Sequence, residues 1–160
     1  MAKEKAVKTN AMRILDSLKI SYEMQSYECD EFVDGLQIAD KLDLPYEKVY
    51  KTLVTVGNSK NYFVFVIPVA EELDLKKAAA AVGEKSIEMI KSKELLPLTG
   101  YIHGGCSPIG MKKFFTTTIH ETARECETII FSGGKIGYQV ELKLEDLAKV
   151  ISFQVKDICD

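Results

Sequence analysis

The sequence predicts one α+β domain built on a mixed, barrel-like β-sheet flanked by helices. Three observations carry that prediction. Runs rich in β-branched and aromatic residues outnumber the amphipathic helical stretches. One of them, Tyr62 to Val69, is apolar at nearly every position, the pattern of a strand buried on both faces in the middle of a sheet. Connections are short, and no repeat, linker or low-complexity tract divides the 160 residues.

Taken in order, Thr9 or Asn10 can cap a helix whose apolar positions Ala11, Ile14, Leu15 and Leu18 recur at helical spacing. Lys19 to Glu28 reads as a strand around Tyr22, Met24 and Tyr27, with Tyr27 out of phase and so facing a different environment. Asp34 or Gly35 opens a short amphipathic helix through Leu36, Ile38, Ala39 and Leu42, and Pro45 starts a turn. Val49 to Val56 and Tyr62 to Val69 form a hairpin about Gly57-Asn58-Ser59. Within the first of these strands Lys51 is the oddity. Read from the residues alone, it is either an edge charge in solvent or an ammonium directed into a pocket, and the edge charge is the simpler reading.

A helix follows over Glu71 to Val82, with Asp74 as a cap and Gly83 past its end. Ser86 to Ile90 reads as a short strand, and Ser92 to Leu96 as a helix stopped by Pro97. The crossover from the Tyr62 strand to the Ser86 strand through a helix points to parallel pairing, hence the mixed sheet. Strands at Phe114 to His120, Thr128 to Phe131 and Ile136 to Leu142 come next, the last two joined by the turn Ser132-Gly133-Gly134-Lys135. Leu144, Leu147, Ala148 and Ile151 mark a final helix, and Phe153 and Val155 a final strand.

Composition narrows the function. A hydrophobic content of 46% supports a sizeable core, while a net charge of −3 excludes a globally basic nucleic-acid binder and leaves room for a local patch. Lys112 and Lys113, with Lys48, Lys76 or Lys77, are the candidates to meet phosphates; as a plain solvated face they would need no function. Cys29, Cys106, Cys126 and Cys159 show no Cys-x-x-Cys spacing, and His103 and His120 are the only histidines, so neither a metal nor a cofactor is expected. The N-terminus has no apolar signal region, and the longest apolar run, Tyr62 to Ala70, is too short to span a bilayer. A soluble cytoplasmic protein is expected.

The stretch from Thr99 to Lys113 packs four glycines and one proline into fifteen residues. Gly104, Gly105 and Gly110 allow positive φ and close backbone approach, and Pro108 holds Ser107 extended, so exposed N–H groups can meet a carbonyl or phosphate oxygen. The plainer reading is a Gly/Pro connector between strands. No nucleophile motif accompanies the histidines, which read as surface or turn residues, and Cys106 has no evident base and reads as a small packed thiol.

Four motifs occur in order: Val-Tyr-Lys-Thr-Leu, Leu-Asp-Leu-Lys-Lys, Thr-Gly-Tyr-x-x-Gly-Gly-x-Ser-Pro-x-Gly-x-Lys-Lys and Ser-Gly-Gly-Lys-x-Gly. Together, from Lys8 to about Ile151, they resemble the YbaK/EbsC family of aminoacyl-tRNA deacylases. The resemblance implies the fold of the editing domain in bacterial prolyl-tRNA synthetases and removal of cysteine from mischarged Cys-tRNA(Pro). Cys-tRNA(Cys), Ala-tRNA(Pro) or another small mischarged species are alternative substrates, and a non-catalytic module binding tRNA or a synthetase is the alternative class. It makes Lys51 the essential catalytic residue, in place of the edge charge, and assigns Tyr27, Thr52, Gly104, Gly105, Ser132 and Gln139 to the substrate pocket; the phosphates that Lys112 and Lys113 would meet by their charge are then those of tRNA. It also implies a transient complex with prolyl-tRNA synthetase. Gln139 departs from an aspartate of the family pattern, and Asp34 falls near a phenylalanine.

Overall fold

A computed structural model describes residues 9–26, 39–40, 43–102 and 105–159. Helix α1 (Asn10–Ser17) is capped by Thr9, whose Oγ1 accepts the Met12 N–H at 3.1 Å, and it buries Ala11, Met12 and Leu15. Lys19, at φ 60°, ends the helix, so the strand expected from Lys19 onward begins only at β1 (Glu23–Ser26). A 3-10 turn (Tyr46–Lys48) leads into β2 (Tyr50–Gly57), which pairs antiparallel with β3 (Tyr62–Pro68) as the expected hairpin. Helix α2 (Leu75–Val82) starts later than Glu71 because the Asp74 carboxylate accepts the N–H groups of Lys76 and Lys77, and it closes on left-handed Gly83.

Strand β4 (Ile87–Met89) precedes α3 (Ser92–Thr99). This helix runs through Pro97 instead of stopping before it. The proline, sixth of the eight helical residues, forfeits one hydrogen bond, while Thr99 Oγ1 and the Gly100 N–H satisfy the carbonyls of Leu95 and Leu96. Strand β5 (Thr116–His120), a 3-10 turn (Glu121–Glu125), β6 (Ile129–Ser132), β7 (Tyr138–Leu142), α4 (Leu144–Leu147) and β8 (Gln154–Lys156) complete the chain.

The strands form two sheets, ordered β1-β7-β6 and β4-β2-β3-β5-β8. The larger is mixed, as expected, though not through the expected crossover: β4 pairs antiparallel with β2, and the parallel pairs are β3 with β5 and β5 with β8. β3 lies at its centre. Phe63, Phe65 and Ile67 pack with Ala78 and Ala79 of α2, whose small side chains let the helix approach closely. Val64 and Val66 face the other way, into the main core with Ile119, Phe131, Val140 and α1. Side chains of this size each stabilise by roughly 1.5–3 kcal/mol when fully buried. The two sheets enclose that core without closing into a barrel, and a parallel bridge between Val49 and Ile130 joins them.

Candidate active site

The bridge that joins the sheets also builds the site. β4 covers only Thr55 to Gly57 of β2, so among the described strands none pairs with the first half of β2 on that flank, and there β6 approaches at Val49. Side chains two residues apart on a strand share a face, so Lys51 and Ser132, each two residues beyond the bridged pair, emerge on the same side of the junction. The bridged residues Val49 and Ile130 pack below them with Ala39 and Val69. Lys51 is half-buried, and its side chain makes no ion pair or hydrogen bond to a described residue. Alternation sends Thr52 to the opposite face, toward its β3 partner Val66 in the main core, so it does not stand beside Lys51. Thr52 Oγ1 is buried without a hydrogen-bond partner among the described residues.

Ser132 ends β6 opposite Gln139 of β7, and the two side chains share a face. The Ser132 Oγ accepts the Gly134 N–H at 3.1 Å, which leaves the hydroxyl proton available to a ligand. Gln139 is 4% exposed and has no side-chain hydrogen bond to another described residue. The turn between these strands needs its glycines, since Gly134 and Gly137 hold φ of 105° and 96°.

The first glycine loop lies directly against this turn. A Cβ at Gly105 would sit 3.1 Å from Ile136 N and 3.2 Å from Lys135 C, so the two backbones are in contact with no room for a side chain. Of the two properties expected of this glycine, Gly105 uses close approach and not positive φ, whereas Gly110 takes φ 80°. The Gly105 N–H donates to Ile102 O at 3.0 Å and so does not point at a ligand, contrary to the reading of this loop as an array of open donors. Ser107 is fully buried, its Oγ accepting the Ile109 N–H at 3.3 Å, and Tyr101 Oη donates to Ile109 O. Helix α1 ties both motifs together: Thr9 Oγ1 donates to Gly133 O at 2.5 Å and Asn10 Nδ2 to Gly110 O at 3.2 Å. No motif in the sequence signals those two anchors. Tyr27, Cys29, Asp34, His103 and Gly104 lie outside the described residues.

Several other candidates are settled by their partners. Burial pushes the Cys106 thiol up to about 12, against a smaller opposing effect of Thr99, so it is a packed thiol and not a nucleophile. His120 is buried at the end of β5 and not at the surface; its Nδ1 accepts the Ile158 N–H at 3.2 Å. Lys48 holds Glu141 at 2.9 Å and Lys77 holds Asp157 at 3.0 Å, whereas Lys112 and Lys113 are exposed. Lys113, Phe114 and Ile151 border a shallow cleft of about 160 Å³. Among the described residues no group of three or more His, Cys, Asp or Glu side chains could hold a metal.

A strand lysine and a serine hydroxyl on one face, beside interlocked glycine turns and without a triad, make a site suited to an acyl group on an α+β scaffold. The profile of the aminoacyl-tRNA editing domain matches residues 34–150, and the chain belongs to that family. It is 44% identical over 160 residues to EbsC of Enterococcus faecalis, covering 99% of this chain and 98% of that one. That relative carries the provisional name Cys-tRNA(Pro)/Cys-tRNA(Cys) deacylase. A proline–tRNA ligase of Thermosipho africanus is 31% identical over 77 residues, 48% of this chain and 14% of the ligase. A crystal structure described as a trans-editing enzyme for prolyl tRNA synthetase superposes with a TM-score of 0.82 at 20% identity, over 97% of this chain and 99% of its own, a likeness of fold. No described helix is long and apolar enough to cross a membrane.

Proposed function

We propose that this chain is a single-domain, cytoplasmic trans-editing deacylase that removes cysteine from mischarged Cys-tRNA(Pro), with Cys-tRNA(Cys) as a second substrate. The observation that carries the reading is the placement of Lys51 and Ser132 on one face at the sheet junction, in a chain so similar to a relative named for that activity. An aminoacyl ester is already activated, so one cation, one hydrogen-bond donor and orientation suffice.

In the reaction the Lys51 ammonium draws the substrate thiol, ordinarily of pKa about 8.5, toward thiolate. The sulfur attacks its own ester carbonyl, the carbon–sulfur bond forms, and the bond from the carbonyl carbon to the ribose oxygen breaks. That oxygen leaves with a proton as the free tRNA hydroxyl, and the cyclic thioester is later opened by water. Orientation contributes on the order of 7 kcal/mol or more to such an intramolecular step; the strain of the four-membered ring opposes it, and stabilisation of the oxyanion is needed to offset that strain. The Ser132 hydroxyl donates to the carbonyl oxygen. Because the Gly105 N–H is engaged by Ile102, any further donor from that loop is assigned to Gly104. Tyr27 and Gln139 complete the pocket, the neutral Gln139 amide standing where the family pattern has a carboxylate, whereas Thr52, on the opposite face of β2 from Lys51, is not assigned to it. Lys112 and Lys113 hold the acceptor end through its phosphates, and prolyl-tRNA synthetase supplies the choice of tRNA in a transient complex.

The test compares release of cysteine, alanine, serine, proline and S-methylcysteine from tRNA(Pro). Cysteine is released fastest and S-methylcysteine is retained. Equal rates for cysteine and its S-methyl form would exclude sulfur as the nucleophile and return the mechanism to water, and equal rates for proline would remove the editing role.

A further inference from the structure

The Glu141 carboxylate ties together four segments of the chain. Its Oε1 accepts Gln25 Nε2 of β1 at 3.3 Å, and its Oε2 accepts both Lys48 Nζ at 2.9 Å and Thr128 Oγ1, just ahead of β6, at 2.5 Å. Glu141 itself pairs in register with Ile130, the residue that bridges to Val49, and Lys48 immediately precedes Val49. The carboxylate therefore cross-links the chain entering β2 to the three-stranded sheet, alongside the bridge that joins the two sheets.

We infer that Glu141 is a positioning residue, which through Lys48 holds the start of β2 on β6 and so sets the Lys51 ammonium against the Ser132 hydroxyl. Lys51 lies three residues beyond Lys48, about 10 Å along an extended chain; β3 holds β2 on one flank through the Lys51–Ile67 pair, while the flank toward β6 is not covered by β4, so among the described residues the distance from β2 to β6 here rests on the Val49–Ile130 bridge and the Lys48–Glu141 tie. Lys48 and Glu141 keep 32% and 17% side-chain exposure. A partly exposed pair of this kind adds little to global stability, so a merely structural role predicts small effects on folded protein. A displacement of about 1 Å at a reacting group, by contrast, costs on the order of 100-fold in rate.

The inference rests on the deacylase reading for its kinetic readout, so a second readout stands apart from activity. Glu141→Gln keeps the shape and the contacts to Gln25 and Thr128 while removing the charge; Lys48→Met breaks the same tie from its other end. Lys149→Met, which breaks an exposed pair with Asp146, is the control. Each of the first two is expected to lower kcat for Cys-tRNA(Pro) by about tenfold to a hundredfold with KM little changed. The double variant is expected to be no worse than either, and the Lys51 13Cε resonance, assigned by its loss in Lys51→Ala, to shift in both. Wild-type kcat in folded Glu141→Gln, or multiplicative losses in the double variant, would overturn the inference. Should the wild type release no amino acid, the deacylase reading fails by itself, and the Lys51 resonance still decides: a shift sustains the positioning role and an unchanged resonance ends it.

Discussion

Lys51 is legible in the sequence as an anomaly, a cation in a strand of apolar neighbours, but not as a site. From the residues alone it reads as an edge charge because the neighbours of β2 are far along the chain: β4 arrives some thirty residues later and covers only Thr55 to Gly57, and β6 arrives later still. Two residue-scale predictions follow from how side chains are held. In the proposed mechanism Ser132 contributes its hydroxyl proton, so Ser132→Ala is expected to lower kcat by roughly 100-fold or more while the melting temperature stays near the wild-type value. An unchanged kcat would take Ser132 out of the mechanism. Cys106 is buried with its thiol raised to about 12, so it stays protonated and unreactive at pH 8. Iodoacetamide at that pH is expected to label the half-buried Cys126 before Cys106, read by mass spectrometry, and Cys106→Ala to keep its activity.

Among the elements, the glycine turns and close backbone approach as a use for them were recognisable from the sequence, yet the segment that one of them approaches was not. Gly105 serves contact with the backbone of Lys135 and Ile136, which lie some thirty residues away in sequence, and no local pattern encodes that contact. Gly83 is the useful contrast: it caps α2 at φ 74° with open space where a Cβ would go. Gly83→Ala is expected to cost about 1–2 kcal/mol of stability with no change in turnover. Gly105→Ala is expected to push the two turns apart and reduce turnover at least tenfold, since the site lies where they meet. Equal turnover in the two variants would make the loop a connector only.

The β1-β7-β6 sheet has its own signature with pH. Burial pushes the Glu141 carboxyl up, but the bonds from Thr128 and Lys48 outweigh it and hold the group below the usual range. A depressed carboxyl stabilises the fold above its unfolded value, about 4.3, and loses that contribution as pH falls through the folded value. The melting temperature is therefore expected to fall below about pH 4.5, and to fall less steeply in Glu141→Gln. A parallel decline in both proteins would show that this carboxylate is not coupled to folding.

Across the whole molecule, the α+β class, the central place of β3 and the hairpin of β2 with β3 were legible because each rests on local periodicity. The partner of β4 and the split into two sheets were not, because they depend on which strands meet after long excursions of the chain. A local rule failed in the same way at Pro97, which α3 absorbs in its second half. With a net charge of −3, affinity for tRNA rests on local cations. Replacing Lys112 and Lys113 by Glu is expected to weaken tRNA binding at every sequence tested and to flatten its salt dependence by about two units of slope. Selection of tRNA(Pro) over tRNA(Cys) is expected to rise when prolyl-tRNA synthetase is added; equal selection without it would make the synthetase unnecessary.

Single-turnover deacylation of Cys-tRNA(Pro) by wild-type protein and by Lys51→Ala tests the central claim most directly, with folding of both checked by thermal melting. The Lys51 side chain makes no ion pair or hydrogen bond to a described residue, so the variant is expected to melt near the wild-type temperature and to lose at least about 100-fold in rate. A folded Lys51→Ala protein that releases cysteine at the wild-type rate would contradict the account.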